Sequence, residues 1–142
     1  STDIGTPAST TETDLMADTL PANALDVNNK AIRIKAWGTV AANANSKTIR
    51  VKFGDTQVFN ATGTFASQQQ IWNFEVIICR SGSNTQKTIG SGNVGLFVLN
   101  NQQGVLAITD TAPIIIKVTG QNGAASANNI IQQGMTIEYL SQ

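Results

Sequence analysis

Lys47–Phe53 reads KTIRVKF, and its alternation decides the fold class. Ile49, Val51 and Phe53 fall at every second position, with Thr48, Arg50 and Lys52 between them. Successive side chains of a strand point to opposite faces, so this period sends three apolar groups to a core and three polar groups to water. The Gly54-Asp55 pair that follows has the composition of a tight turn. TQVFN, from Thr56, then completes a β-hairpin.

The same period extends in both directions. In KAIRIKAWGTV, Lys30–Val40, Ile32, Ile34 and Ala36 share one face, while Arg33, Lys35 and Trp37 share the other. IWNFEVIICR, Ile71–Arg80, lines up Trp72, Phe74, Val76 and Ile78. Its second face starts polar with Asn73 and Glu75 and turns apolar with Ile77 and Cys79, as expected of a central strand or one covered on both faces near its end. VGLFVLN, GVLAITD, PIIIKVTG and GMTIEYL read as four further strands, with Pro113 at a strand start. SGSNTQKTIGSGN, Ser81–Asn93, reads as a loop with at most a short edge strand. TDLMADTL, Thr13–Leu20, fits a short helix or a strand, and PANALDVNNK is a turn-rich connection. No segment shows a sustained helical period. Roughly eight to ten short strands, with turns every eight to twelve residues, indicate an all-β antiparallel sandwich or barrel. Residues 1–13, rich in Ser and Thr with Pro7, read as a flexible or extended N-terminal arm, and residues 14–142 as one domain.

Nine basic and nine acidic residues cancel. A nucleic-acid surface calls for a basic patch and an anionic membrane for a polybasic run, so neither partner is expected. No apolar run approaches the roughly 20 residues that span a bilayer. The N-terminus has neither the basic start nor the apolar centre of a secretory signal. Ser1 is a residue that removal of an initiator methionine would leave, which reads as the start of a complete small protein. Between Thr88 and Ile137 only Asp110 and Lys117 are charged, while Asn, Gln, Ser and Thr make up 51 of 142 residues. Such a surface of amides and hydroxyls with no net charge favours association over a lone monomer.

The chain has no histidine and one cysteine. That removes Ser-His-Asp and Cys-His catalysis, His-containing zinc sites, thiolate clusters and an intrachain disulfide. Cys79, inside an apolar strand, reads as packing. Asp14, Asp18, Asp26, Asp55, Glu75, Asp110 and Glu138 are among the nine acids, but nothing in their spacing sets up a facing pair. The expectation is no enzyme, no cofactor and no metal. GSGNVG, Gly90–Gly95, matches the dinucleotide pattern literally. Yet an apolar strand and not a helix follows, so it reads as a glycine-rich turn. Asn60-Ala61-Thr62 matches a glycosylation sequon, which carries weight only in a secreted protein. Trp37, Trp72 and Tyr139 could stack on sugars. Trp37, beside Arg33 and Lys35, is the best of them, and packing on another sheet or subunit is the competing role.

KVTGQNGAASANNIIQQG, Lys117–Gly134, is uncharged after its first residue and lies between two apolar strands. It reads as an ordered loop whose small side chains, Asn122, Asn128 and Asn129 among them, allow close approach to a neighbouring subunit.

DLMADTLPANAL, AANANSKTIRVKFGDTQVF and IIIKVTGQNGAASANNIIQQGMTIEYL, in that order, resemble a widespread group of bacteriophage virion proteins. The likeness runs from about Asp14 to Leu140. It implies a jelly-roll-like β-sandwich, usually homotrimeric, used in head decoration proteins, head fibres and tail-fibre tips. The expectation is therefore a trimeric decoration (cement) protein made in the host cytoplasm. It would sit on the outer surface of the phage head and bridge capsomers through the major capsid protein or other virion proteins. The alternative is a head- or tail-fibre tip recognising host surface polysaccharide. VGLFVLN and GMTIEYL, with Phe97 and Tyr139 as anchors, are the expected trimer contacts, and burial of both residues in the sandwich core is the competing placement.

Overall fold

The computed structural model describes residues 2–140; Ser1 of the arm and the last two residues of the chain lie outside them. Eleven strands and no helix occur among the described residues. They are β1 (Ile4–Gly5), β2 (Thr13–Leu20), β3 (Ala31–Val40), β4 (Asn43–Phe53), β5 (Thr56–Phe65), β6 (Gln70–Gly82), β7 (Thr85–Val94), β8 (Phe97–Val98), β9 (Gln102–Leu106), β10 (Ile114–Asn122) and β11 (Ile130–Leu140). Nine of them have five or more residues, in line with the eight to ten read from the sequence. One sheet has the order β1-β11-β3-β6-β7-β8, with β9 also on β7, and the other has the order β2-β10-β4-β5. Every pairing is antiparallel, so the chain is an all-β antiparallel sandwich.

The alternation of KTIRVKF survives intact. Ile49, Val51 and Phe53 are buried, and they face Ile32, Ile34 and Ala36 of β3 and the Trp72-Phe74-Val76-Ile78 row of β6 across one core. Gly54, at φ 62°, turns β4 into β5 as the Gly-Asp signal required. TDLMADTL resolves as strand β2, because its edge pairs with β10 and its Leu15 and Leu20 reach the core. Trp72 is fully buried, and its indole N–H donates to the carbonyls of Thr39 and Ile131 at 3.3 and 3.2 Å. Its place is therefore in the core and not on a sugar-binding surface.

Two readings are corrected. Ser81–Asn93 is no loop, since Thr85–Val94 forms the ten-residue strand β7 inside the larger sheet. Its inward positions before the terminal Val94 are Gln86, Thr88, Gly90 and Gly92, which carry no apolar signal. Gln86 is fully buried yet satisfied, exchanging hydrogen bonds of 2.8 and 3.2 Å with the backbone of Ile108. The glycines are required by packing: a Cβ on Gly90 would press into the Phe59 ring, and one on Gly92 into Phe74 and the Asn73 carbonyl. The glycine-rich motif is thus mostly strand, with only Gly95, at φ 57°, in a turn.

VGLFVLN is likewise no continuous strand. Val94 ends β7, Gly95 reverses the chain, and Phe97–Val98 return as a two-residue stub paired to Val94 and Asn93. It does not pair with GMTIEYL, because β8 lies at one end of the larger sheet and β11 toward the other.

Phe59 and Phe74 meet edge to face with ring centroids 4.8 Å apart, and Trp72 lies 5.0 Å from Phe74. Replacing the fully buried Phe59 by Ala should cost ~3–5 kcal/mol in urea unfolding. Gly90→Ala alone should cost ~1–3 kcal/mol by overpacking the same ring. In the double variant the added methyl occupies space that Phe59 vacated, so the combined loss should fall short of the sum.

Candidate functional site

Three features of the surface and its edges could do work: an apolar tip, an aromatic on the outer sheet face, and a socket for the N-terminal segment.

The tip is built by the β7–β8 turn. Because Gly95 reverses the chain there, the apolar run is pushed outward and not into the core. Leu96 is 98% exposed, Val98 84% and Phe97 66%. Ile71, 65% exposed, stands beside them, since its carbonyl accepts the Gly95 N–H at 2.7 Å. Phe97 also meets Phe65 edge to face at 6.0 Å. Other large apolar side chains are exposed elsewhere, Val27, Ile89, Val105, Ile115 and Tyr139 among them, but the four at the tip gather around one turn.

The outer face of the larger sheet carries Trp37, 38% exposed. Its indole lies over Gly134 of β11, where a Cβ would overlap the ring. Register places Asn73 and then Asn93 next along the same row, joined by an amide hydrogen bond of 2.8 Å. The adjacent rows hold Lys35 with Glu75, and Arg33 with Glu138 at 2.9 Å. An aromatic plate among amides and charges has the composition of a sugar-stacking surface.

The socket is made by the Lys117–Gly134 region. Thr6, 2% exposed, donates from its N–H to the Ile130 carbonyl at 2.9 Å, and its own carbonyl accepts the Asn128 N–H at 2.7 Å. The Thr6 hydroxyl donates to Asn122 Oδ1 at 3.0 Å. Asn122 Nδ2 is shared among the carbonyls of Pro7, Ser9 and Ser126 at 3.0, 3.2 and 2.9 Å. Glu12 closes the seam: Lys52 reaches it at 2.8 Å, the Thr119 hydroxyl donates to it at 2.7 Å, and Arg50 lies 3.5 Å away.

Of the residues expected at an interface, Phe97 and Tyr139 are both exposed and neither lies in the core. They are not one patch. Phe97 sits at the rung of Trp72 and Tyr139 at the rung of Ile78, ~20 Å apart along the strands alone, with four strand spacings more between them across the sheet. Asn122 and Asn129 are buried, 3% and 1% exposed, and face their own chain, where Asn129 Oδ1 accepts from Asn43 at 2.7 Å. Asn128 is exposed, with its backbone at φ 59°. The close approach read from the loop's small residues is therefore an approach of this chain's own N-terminal segment. The acids take separate partners: Asp14 with Lys117, Asp26 with Lys30, Asp110 with Arg80. Cys79 is half-buried, as its strand setting implied.

The sequence reading passed over Glu12 and Ile71, and held Leu96 and Val98 within a contact strand without singling them out. Glu12 stood out only as a lone charge in an otherwise uncharged stretch of the arm from Ile4. The tip residues were disguised because an apolar run broken by one glycine resembles a strand.

No family model matches this chain, and no curated protein sequence does. Among solved structures it is similar to the CBM2 module of the evolved Dit of Lactobacillus casei BL23 phage J-1. The identity is 9% and the TM-score 0.38, over 87% of this chain and 66% of that one. A likeness of that degree says nothing about what this chain binds.

Hydrogen bonding by Lys52 and Thr119, helped by the neighbouring Arg50 charge, holds the Glu12 carboxyl below its ordinary value of 4.5. A depressed carboxylate stabilises the fold above its unfolded pKa, and the contribution is lost as pH falls through the folded value. Wild type should therefore be more resistant to urea than Glu12→Gln at pH 7. The gap should begin to close as pH drops below about 4.5, and hydrogen-exchange protection of the Thr6 and Asn128 amides should fall with it.

Proposed function

We propose that this chain is a structural protein of a phage particle, working as a homotrimeric decoration protein on the head shell. The apolar tip of Ile71, Leu96, Phe97 and Val98 carries the reading. Exposed apolar clusters rimmed by polar residues are the usual mark of a protein-docking surface. Aromatic and aliphatic anchors of this kind supply most of the energy of such contacts. The ordered resemblance of three long motifs to virion proteins supports the same reading, as does the uncharged second half of the chain. The work is mechanical. Contacts made only in the assembled shell add binding free energy to that state alone, which raises its stability by linkage. The N-terminal arm is not needed as a clamp on a neighbour, because residues 4–12 are already held by their own chain.

The Trp37 surface favours a second reading, recognition of a host polysaccharide by a fibre-borne copy of the domain. Its supporting observation is the indole laid on Gly134 beside the Asn73–Asn93 pair.

The two readings separate by experiment. Light scattering should give a trimer at micromolar concentration, and the protein should bind empty shells. Leu96→Asp with Val98→Asp should weaken shell binding by tenfold or more (~1.4 kcal/mol) while leaving thermal stability unchanged, since both side chains are solvent-exposed. A monomer that binds host cells and not shells would overturn the decoration role. In that case Trp37→Ala should abolish cell binding while the tip variants retain it.

A further inference from the structure

Beneath the tip lies a cavity of about 390 Å³, within the size range of small-molecule pockets. Val40, Ile49, Ala61, Phe65, Val94 and Leu99 supply an apolar wall, and Phe97 and Val98 stand at the rim. One lining residue is charged. Lys47 begins the KTIRVKF stretch, and its parity with Ile49, Val51 and Phe53 turns it inward, where it is only 2% exposed.

Its ammonium donates to the Asn43 carbonyl at 3.1 Å and to Asn43 Oδ1 at 2.7 Å. An ammonium has three N–H donors, so one lacks an acceptor among the described residues. None of the carboxylates there lies within ion-pair distance of it. Both acceptors are neutral, and burial pushes the group's pKa below its ordinary value. A buried cation without a counter-ion is costly, and an anion brought to it recovers part of that cost.

We propose that this cavity binds a small amphiphile carrying a single carboxylate, with its apolar body against Ile49, Ala61 and Phe65 and its carboxylate accepting from Lys47. A phosphate is a poorer fit, because one cation with one spare N–H cannot satisfy a dianion with three acceptor oxygens. The cavity shares Phe97 and Val98 with the docking tip, but octanoate binding is read on the isolated chain and docking on shells, so failure of one is distinguishable from failure of the other.

The test uses octanoate and octanol as probes in calorimetric titration of the full chain. Octanoate should bind saturably, at least about tenfold tighter than octanol, the scale of a charge-assisted contact. Lys47→Met keeps the chain length and removes the charge, and it should bring octanoate down to the level of octanol. Val98→Trp changes an exposed rim residue, leaves folding untouched and should block both probes. Absence of saturable octanoate binding at millimolar concentration would overturn the proposal. So would equal affinity for octanol, or unchanged octanoate binding in Val98→Trp.

Discussion

The edge-to-face contact of Phe59 and Phe74 is the constraint on which the rest of the sandwich depends. Phe59 belongs to the four-stranded sheet and Phe74 to the seven-stranded one, so their 4.8 Å centroid separation sets how the two layers meet. Rings of that size need room, and the room comes from β7, which presents Gly90 and Gly92 where a strand would ordinarily carry apolar side chains. The cost falls on β7 itself, which contributes little hydrophobic surface. It is held instead by pairing on both sides and by the buried amide of Gln86. The dense aromatic core and the polar, glycine-rich strand are thus one arrangement seen from two sides.

A second dependence follows at the chain ends. β10 and β11 would leave the backbone of the Asn122–Ile130 loop unpaired if nothing lay against it. Residues 4–12 fill that place, with Thr6 and Asn122 exchanging contacts across more than a hundred residues of sequence. Buried backbone groups must find partners, and here a segment without a core of its own supplies them. Glu12 adds charge to that seam by accepting from Lys52 and Thr119. The amide-rich loop is best understood as a socket. The Asn122 side chain accepts from Thr6 while its two N–H donors are shared among three carbonyls, more partners than a single hydroxyl proton could serve.

The candidate sites lie where the core leaves side chains free. The turn at Gly95 sends Leu96 and Val98 outward, the bulged register between β3 and β11 lays Trp37 over Gly134, and the inner face of β4 carries Lys47 to the end of the core. Lys47 was visible in principle, because the parity that assigned Ile49, Val51 and Phe53 to the interior assigns Lys47 there too. Lysine is read as a surface residue by habit, and that habit hid it.

Local alternation determined β3, β4 and β6, because a half-buried strand must segregate apolar from polar side chains, and apolar runs between turns marked β10 and β11. The absence of histidine and the single cysteine likewise bounded the chemistry from the sequence alone. Tertiary structure decided what alternation could not express. β7 escaped because packing against aromatic rings demands glycine, which has no hydropathy to read. The VGLFVLN run became a tip because one residue at positive φ reverses a chain whatever the polarity of its neighbours. The partner of the Asn-rich loop was undecidable locally, since an amide bonds equally well to its own chain or to another. Only the folded position of residues 4–12 makes that choice.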